Sequence, residues 1–215
     1  MADGDRERPQ PPEGGGTVER QETWDERYAA VERLFTTEPD PALVELATPL
    51  QPGRAVDLGA GEGRNSLWLA RQGWDVTAVD GSSVALERVR AGAAVEGLRV
   101  AAVHSDIGAF LSRGDPYELV LIANIHPAPE QRAAMLRDAA RAVAPGGHLL
   151  LVGHHLDSLG CPGPSDPELL YTEEVLRHAL PGLRTLLLER RERSQGSDTG
   201  EPRIDVVLWA EAPEG

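Results

Sequence analysis

The stretch VDLGAGEGRNSLWLARQGWDVTAVD, residues 56–80, decides the fold prediction. It runs from an apolar strand into a glycine-rich turn, then into a helix, and then into a second strand that ends in an acid. Gly59, Gly61 and Gly63 follow the first strand directly. Glycines there let the backbone turn sharply and let a ligand approach without meeting a Cβ atom. The stretch therefore predicts a nucleotide-type cofactor site at the carboxyl ends of parallel strands.

The spacing and charge of the turn narrow the choice of cofactor. A dinucleotide fingerprint needs its third glycine one place later, where Arg64 stands, and a P-loop needs a Gly-Lys-Ser/Thr sequence that the turn lacks. Asp57 before the turn and Glu62 within it repel a pyrophosphate and attract a cation. S-adenosylmethionine carries a sulfonium and an ammonium group, so it suits these charges. Its carboxylate can take backbone N–H groups at Arg64 and Asn65.

Two further strand-like runs also end in acids. Asp80 ends the strand after the turn, where a carboxylate can accept both ribose hydroxyls of a nucleoside. Asp106 ends the following strand and can accept the adenine amino group, while Ile107 offers a backbone donor and an apolar face. Any single terminal Asp is more often a helix cap or a turn former. Three acids at three successive strand ends favour adenosylmethionine.

Composition sets limits on the whole chain. Its 215 residues fit one compact domain, and its formal net charge of −14 argues against a nucleic-acid partner. The lone Cys161 excludes an internal disulfide and a cysteine-based zinc cluster, and no long apolar run predicts a membrane span. We expect no metal site and a cytoplasmic monomer or homodimer. Residues 1–20 predict a disordered tail, and residues 21–215 a single domain.

Patterns on either side of the glycine turn predict the remaining elements. The periodic apolar residues of QETWDERYAAVERLF, residues 21–35, predict one amphipathic helix, and Asp40 followed by Pro41 predicts the start of a second. Apolar runs then alternate with helical runs, which predicts a parallel sheet covered by helices. TEEVLRHAL, residues 172–180, predicts a helix. LRTLLLERRERS and RIDVVLWAE flank the polar loop QGSDTGEP and predict an antiparallel hairpin at the sheet edge.

These motifs resemble those of the class I S-adenosylmethionine-dependent methyltransferases over about residues 24–211, and the glycine-turn stretch is similar to the tellurite-resistance and thiopurine-like small-molecule branch. The resemblance implies an α/β, Rossmann-like three-layer sandwich with a seven-stranded, mostly parallel sheet and a C-terminal antiparallel hairpin. It implies S-adenosylmethionine as the cofactor. The residues that it implies for cofactor binding are Asp57, Gly59, Ala60, Gly61, Arg64, Asn65, Asp80, Gly81, Asp106, Ile107, Asn124 and Ile125.

Few residues are required for the chemistry itself. Methyl transfer from a sulfonium is a direct displacement, so a base is needed only if the acceptor must lose a proton. The fourth strand ends in ANIHPAP and the fifth in VGHHLD, which makes His126 and His154 candidate bases and His155 a candidate substrate residue. The alternative for each of them is a hydrogen-bonded structural histidine. Trp24 and Tyr28 either fold over the cofactor and substrate or simply dock the first helix on the sheet.

The segment HHLDSLGCPGPSDPELLYT, residues 154–172, is rich in Pro and Gly and predicts a loop over the acceptor site. The resemblance also implies that the closing hairpin supplies basic residues to an anionic acceptor, and Arg193 and Arg203 stand at approximately matching places. Glu192 stands where that branch has a histidine, which argues against tellurite itself. The alternative for RRER is a solvated strand edge. No Asn-Pro-Pro-Tyr motif follows the fourth strand, which argues against adenine-N6 and glutamine methylation.

The sequence therefore predicts an S-adenosylmethionine-dependent methyltransferase that acts on a small-molecule acceptor. The acceptor atom stays open among oxygen, nitrogen, sulfur and a metalloid. One alternative is a catalytically inactive protein of the same fold that binds a ligand or a regulatory partner, against which the complete set of glycines and strand-end acids argues. Another is an NAD-dependent oxidoreductase, which the position of Arg64 and the acids at the turn disfavour.

Overall fold

A computed structural model describes residues 24–193 and 203–215 of the chain. The strands are β1 (Arg54–Leu58), β2 (Asp75–Asp80), β3 (Val100–His104), β4 (Tyr117–Ala123), β5 (Val143–His154), β6 (Arg184–Arg193) and β7 (Arg203–Glu211). The helices are α1 (24–29), α2 (Pro41–Ala47), α3 (Arg64–Arg71), α4 (Ser83–Glu96), α5 (Ile107–Leu111), α6 (Pro129–Arg141) and α7 (Glu173–Leu176). Short 3₁₀ turns lie at Leu156–Ser158 and Pro167–Leu169.

The strands form one seven-stranded sheet in the order β3-β2-β1-β4-β5-β7-β6. Strands β1 to β5 are parallel, and β7 runs antiparallel to both β5 and β6. The strand order reverses between β1 and β4, which opens a crevice at the carboxyl edge of the sheet. The predicted parallel sheet with a closing antiparallel hairpin is confirmed. The hairpin loop QGSDTGEP and the tail of residues 1–20 lie outside the described residues.

Successive residues of the central strands alternate between two apolar layers. Val120 and Ile122 of β4 face a core shared with α5, α6 and α7, whereas Leu119 and Leu121 face a core shared with α2 and α3. Burial on both faces is the pattern of a parallel sheet between helices. Full burial of each such side chain stabilises the fold by about 1.5–3 kcal/mol. The two layers of helices and the sheet between them make the predicted three-layer sandwich.

The first helix is shorter than the sequence pattern predicts. Helix α1 ends at residue 29, whereas the apolar periodicity continues to Phe35. The N–H groups of Leu34 and Phe35 donate to the Glu62 carboxylate at 3.0 and 2.9 Å. The Arg88 guanidinium donates to the backbone carbonyl oxygens of Tyr28 and residue 31, both at 2.6 Å. A longer helix needs these same backbone groups for its own hydrogen bonds, so the two charged side chains end it.

The second helix begins as predicted, and the last helix does not continue as predicted. Asp40 is the N-cap of α2 and accepts the N–H of Ala42 at 3.0 Å. The run TEEVLRHAL forms only the four residues of α7. The N–H of Ala179 then donates to the carbonyl three residues back, and Pro181 follows without an N–H to donate. Within residues 24–193 and 203–215, no helix is both long and apolar enough to cross a membrane.

Candidate active site

The glycine turn joins β1 to α3 and is tied by its backbone to β2. The N–H groups of Gly59 and Ala60 donate to the carbonyl of Val79 at 2.8 and 2.9 Å, and the N–H of Gly61 donates to Asp80 Oδ2 at 2.7 Å. The three glycines of the turn have φ angles of 71°, 53° and 84°. A residue with a Cβ atom is disfavoured by about 1–2 kcal/mol in this left-handed region. The turn therefore requires glycine for backbone reasons alone.

The side chains that approach the turn most closely belong to the chain itself. A Cβ atom at Gly59 would lie 2.2 Å from Cδ1 of Ile125, and one at Gly61 would lie 2.9 Å from the hydroxyl of Tyr28. The sequence predicts this free space for a ligand, whereas Ile125 and Tyr28 use part of it. Tyr28 is 4% exposed and packs onto the turn, while Trp24 is 39% exposed. The two aromatic residues of α1 therefore have different environments.

Glu62 does not select a cationic ligand in the way that the sequence predicts. Its Oε1 atom lies 2.6 Å from Nη1 of Arg88, and its two oxygens accept the N–H groups of Leu34 and Phe35. Arg88 therefore neutralises the charge of Glu62. Together the two residues tie the segment after α1 to the turn and to α4. Asp25 of α1 adds a hydrogen bond to the hydroxyl of Ser82.

Asp80 ends β2 beside the turn with both carboxylate oxygens held by backbone donors. Oδ2 accepts the N–H of Gly61 at 2.7 Å, and Oδ1 accepts the N–H of Ser82 at 2.8 Å. Each oxygen has a further lone pair, so the carboxylate is fixed in place and can still accept the hydroxyls of a ligand. Burial raises the pKa of Asp80, and the two backbone hydrogen bonds oppose that rise. The carbonyl of Gly81 lies 2.9 Å from Nε2 of His104.

Asp57 lies inside the molecule at the end of β1. It is 1% exposed, and its Oδ2 atom accepts the hydroxyl of Ser66 at 2.7 Å, which links β1 to α3. Burial raises the pKa of Asp57 to about 6, although the hydrogen bond from Ser66 and the charge of Arg64 lower it. Asp57 can therefore act on a bound cation through its charge.

Arg64 and Asn65 begin α3 and both reach toward the N-cap of α2. Asn65 Oδ1 accepts the N–H of Asp40 at 2.9 Å, and Arg64 Nη2 lies 4.0 Å from Asp40 Oδ2. The N-cap of α3 is Gly63, and among the described residues no side chain caps this helix start. The first backbone N–H groups of a helix have no partner within the helix, so those of α3 can bind an anionic group.

Asn124 follows β4 at the point where the strand order reverses. Its φ of 59° lies in the left-handed region, which Asn adopts more readily than most residues. Its N–H donates to the carbonyl of Val152 at 2.8 Å. Across the described residues, Asn124 Oδ1 is the one buried side-chain oxygen or nitrogen without a hydrogen-bond partner. An unpaired buried acceptor costs about 1–3 kcal/mol, so this position favours a ligand that brings a donor.

Asp106 and Ile107 begin α5 at the end of β3. Asp106 is exposed, and its Oδ1 atom caps α5 by accepting the N–H of Ala109 at 3.0 Å. Ile107 packs against the main core. The cap uses one oxygen of Asp106 and leaves Oδ2 for a ligand.

His126 follows β4, and its neutral imidazole ring already accepts a hydrogen bond from the protein. Its Nε2 atom accepts the backbone N–H of His154 at 2.9 Å, and the two imidazole rings stack with centroids 4.7 Å apart. Burial, and then the neighbouring His154, lowers the pKa of His126 to about 3. His126 can take up a proton at Nε2 only by losing the bond to the backbone of His154. This geometry opposes the prediction that His126 acts as a base.

His154 ends β5 directly opposite Asp205 in the antiparallel register. Its Nδ1 atom lies 2.9 Å from Asp205 Oδ1, and Arg193 Nη2 lies 2.6 Å from Asp205 Oδ2 and 3.2 Å from Asp40 Oδ2. Burial raises the pKa of Asp205, but the hydrogen bond from His154 and the charge of Arg193 outweigh it, so this pKa lies below its ordinary value. The sequence analysis missed Asp205. The available signal was an acid within the apolar strand RIDVVLWAE.

His155 and Arg193 are held by protein groups, which opposes the direct substrate contacts predicted for them. The Nδ1 atom of His155 accepts the N–H of Asp157 at 3.0 Å, and its Nε2 atom lies 2.9 Å from Glu173 Oε2. The side chain of His155 therefore ties the start of the 155–172 segment to the first residue of α7. Arg203 stands opposite Arg193 in the register of the hairpin.

The candidate residues gather at the carboxyl edge of the sheet in two groups. The glycine turn, Asp80 and Asn124 lie at β1, β2 and β4, whereas His154 and Asp205 lie at β5 and β7. A groove of about 450 Å³ lies at the amino ends of β2 and β3, lined in part by Asp75, and holds none of the predicted site residues. The chemistry of the carboxyl edge, rather than the size of that groove, identifies the site.

Part of the chain is similar in sequence to known proteins. The family model described as a methyltransferase domain matches residues 55–147. The ubiquinone biosynthesis O-methyltransferase of Caulobacter sp. (strain K31) is 31% identical over 105 residues, which are 48% of this chain and 42% of that protein. The chain spans less than half the length of the curated relatives that it matches, 42% and 45%.

Solved structures share most of the fold of this chain. TehB from Haemophilus influenzae superposes with a TM-score of 0.70 at 23% identity, over 82% of this chain and 63% of that chain. The N-methyltransferase NodS from Bradyrhizobium japonicum WM9 in complex with S-adenosylhomocysteine superposes with a TM-score of 0.71 at 17% identity, over 90% and 98% of the two chains. These likenesses confirm the predicted Rossmann-like fold. Residues 55–147 therefore match a methyltransferase domain, and the described part of the chain has the fold of these methyltransferase structures.

Proposed function

We propose that the chain binds S-adenosylmethionine and transfers its methyl group to a small-molecule acceptor. The observation that carries the proposal is the convergence of three features at the ends of β1, β2 and β4. These features are the positive-φ glycine turn, the carboxylate of Asp80 held by two backbone N–H groups, and the unpaired buried Oδ1 of Asn124. The matched methyltransferase domain includes all three, and the NodS neighbour is described with S-adenosylhomocysteine bound.

The described residues fit the chemistry of this cofactor. Asp80 can accept the ribose hydroxyls, and Asp106 Oδ2 with the backbone of Ile107 can serve the adenine edge. The uncapped start of α3 suits the carboxylate, and Asn124 Oδ1 suits a donor such as the ammonium group. The ionised form of Asp57 favours the positive charge. When bound, the cofactor supplies an activated methyl group on a sulfonium whose leaving group is a neutral thioether.

Helix α1 closes one side of this site. Arg88 and Glu62 hold the segment after α1, and Tyr28 packs on Gly61 beside Asp80. We assign Tyr28 the role of covering the cofactor. Trp24 stays at the surface and, with Arg203 of the hairpin, remains a predicted acceptor contact.

Calorimetric titration of the full chain tests the proposal. We expect heat of binding from S-adenosylmethionine and S-adenosylhomocysteine and none from NAD. Tight NAD binding without a response to S-adenosylhomocysteine would overturn the proposal in favour of an oxidoreductase. Incubation with methyl-labelled S-adenosylmethionine and a metabolite library then tests transfer. Binding without label transfer to any acceptor would favour an inactive ligand-binding protein of the same fold.

The wider predictions belong to the same proposal. We expect a monomer or homodimer in the cytoplasm with no nucleic-acid partner. The net charge of −14 supports the last point, because nucleic-acid affinity depends on neutralising phosphates. Sedimentation of the full chain with and without duplex DNA measures both the oligomeric state and the absence of binding.

A further inference from the structure

A connected group of charged side chains joins the ends of β5, β6 and β7 to the start of α2 and contains none of the residues proposed above to hold the cofactor. We call it the hairpin network, and its members are His154, Asp205, Arg193 and Asp40. Asp205 and Asp40 are 3% and 2% exposed. Burying each charge costs several kcal/mol, which good pairing must offset. The chain places this costly arrangement at the carboxyl edge of the sheet, next to the proposed transfer site.

The network determines which ring nitrogen of His154 carries a proton. Nδ1 lies 2.9 Å from Asp205 Oδ1, and an ionised carboxylate can only accept a hydrogen bond. Nδ1 is therefore the protonated nitrogen of the neutral ring, and Nε2 holds the lone pair. In the described part of the chain, no hydrogen bond engages Nε2. This nitrogen faces the 155–172 segment, where a Cβ atom at Gly163 would lie 3.5 Å away.

The neighbouring histidine supports this arrangement and does not compete with it. His126 accepts the backbone N–H of His154 and stacks on its ring. Arg193 bonds the second oxygen of Asp205, so the carboxylate is held at both ends. Each contact restricts the orientation of His154 or of its partner, and a fixed orientation is what a general base requires.

We propose that Asp205 positions His154 as the general base of the transfer, with Arg193 holding Asp205 in place. This inference rests on the proposed methyl transfer and narrows its acceptor to a protic group X–H. The proton of X–H passes to Nε2 of His154, the electron pair of X forms the X–CH₃ bond, and the electron pair of the broken C–S bond stays on sulfur. The imidazolium of His154 then returns the proton to water. Thioethers and tertiary amines are not acceptors in this scheme.

NMR of the full chain labelled with ¹⁵N-histidine tests the inference without an acceptor. The sample is saturated with S-adenosylhomocysteine, and a His154→Gln variant assigns the ring signals. Long-range ¹H–¹⁵N correlations report the tautomer, and we expect the Nδ1–H form at pH 8. In Asp205→Asn, we expect a measurable share of the Nε2–H form, because a carboxamide can donate to Nδ1 whereas an ionised carboxylate only accepts.

Neighbouring charges define the control. The titratable and charged groups that face His154 are His126 after β4, Asp205 of β7 and Arg193 of β6. Asp157 lies in the adjacent loop and pairs with Arg190 and His155 instead. Asp157→Asn should therefore leave the His154 signals unchanged.

The possible outcomes separate this inference from the proposed function. An Nε2–H tautomer in the unmodified protein overturns the inference even if the Asp205 variant fails to fold, and so does an unchanged tautomer ratio in Asp205→Asn. Failure of the unmodified protein to bind S-adenosylhomocysteine contradicts the proposed function instead. With an acceptor from the library, Asp205→Asn should lower kcat by about 10²-fold and leave KM for the cofactor unchanged.

Discussion

The two halves of the carboxyl edge are built in different ways. At β1 and β2, backbone groups make the site, because Gly59, Ala60 and Gly61 bond directly to Val79 and Asp80. At β5, β6 and β7, side chains make it, and the hairpin network joins residues as far apart in the chain as Asp40 and Arg193. A site made by backbone groups accepts few residue types at its turn, but it depends on few side-chain partners. A network built from side chains depends on every member at once.

Arg193→Leu should have the largest effect on stability. The substitution leaves the carboxylates of the buried Asp40 and Asp205 without the guanidinium of Arg193. Removing one partner of a buried ion pair costs about 3–5 kcal/mol. Urea unfolding measures the loss. Arg191→Leu on the same strand is the control, because its partners Glu45 and Glu189 are 61% and 40% exposed and such pairs contribute about 1 kcal/mol or less. Equal losses in the two variants would show that the network adds nothing.

Gly59→Ala should have the next largest effect, on the backbone-built half. Its φ of 71° disfavours Ala, and the new Cβ atom would lie 2.2 Å from Cδ1 of Ile125. We expect a loss of about 2–4 kcal/mol in unfolding free energy and weaker S-adenosylhomocysteine binding. Gly97 has a similar φ of 67° and open space around it. Gly97→Ala should therefore lose only the unfolding free energy that comes from the left-handed backbone, and it should leave S-adenosylhomocysteine binding unchanged. Equal losses of unfolding free energy in the two variants would show that the close contact with Ile125 does not contribute.

Asp80→Ala should weaken cofactor binding with less effect on the fold. If Asp80 accepts both ribose hydroxyls, the affinity for S-adenosylhomocysteine falls by about 1.5–3 kcal/mol, which calorimetry detects easily. Asp75→Ala, at the exposed start of the same strand, should leave the affinity unchanged. Asp205→Asn should also leave it unchanged, since the hairpin network serves the acceptor half. Full affinity in Asp80→Ala would remove this carboxylate from the cofactor site.

The smallest effect is a pH dependence that comes from Asp57. Burial raises its pKa to about 6, so its ionised form increases as the pH rises through this value. The affinity for S-adenosylmethionine should therefore rise from pH 5 to pH 7. In Asp57→Asn, the rise should be smaller and should come from Asp80 alone, whose pKa is also raised by burial. The raised pKa has the opposite effect on the unliganded fold. Relative to Asp57→Asn, the unfolding free energy should fall as the pH rises from about 4 to about 6. Parallel pH curves for the two proteins would contradict both expectations.

Local patterns were sufficient to predict the sheet and the glycine turn. The alternation of apolar strands and helices, the glycine spacing and the cap at Asp40 each depend on residues close together in sequence. The left-handed φ angles of the turn explain why glycine stands at Gly59 and Gly61. These features are properties of the backbone and of short segments, which a sequence shows directly.

Features that depend on contacts between residues far apart in the sequence could not be predicted. Glu62 and Arg88 ended α1 early by taking its backbone groups, and no periodicity contains that information. The choice of His154 over His126 as the proposed general base depended on which ring nitrogen already has a hydrogen-bond partner. That choice required Asp205, which the hairpin register sets opposite His154. Side-chain networks across the sheet are therefore where the sequence analysis was incomplete.

Asn124 also has a meaning for the engineering of this protein. Its left-handed backbone is a conformation that glycine adopts more easily, and within the described residues its Oδ1 atom is a buried acceptor without a partner. Stability alone therefore favours another residue at this position. In the proposed complex, a donor on the cofactor pairs with Oδ1 of Asn124 and restores the stability that the unliganded fold gives up. Selection for thermal resistance without selection for activity would be expected to replace Asn124 early, and the more stable protein would bind its cofactor less well.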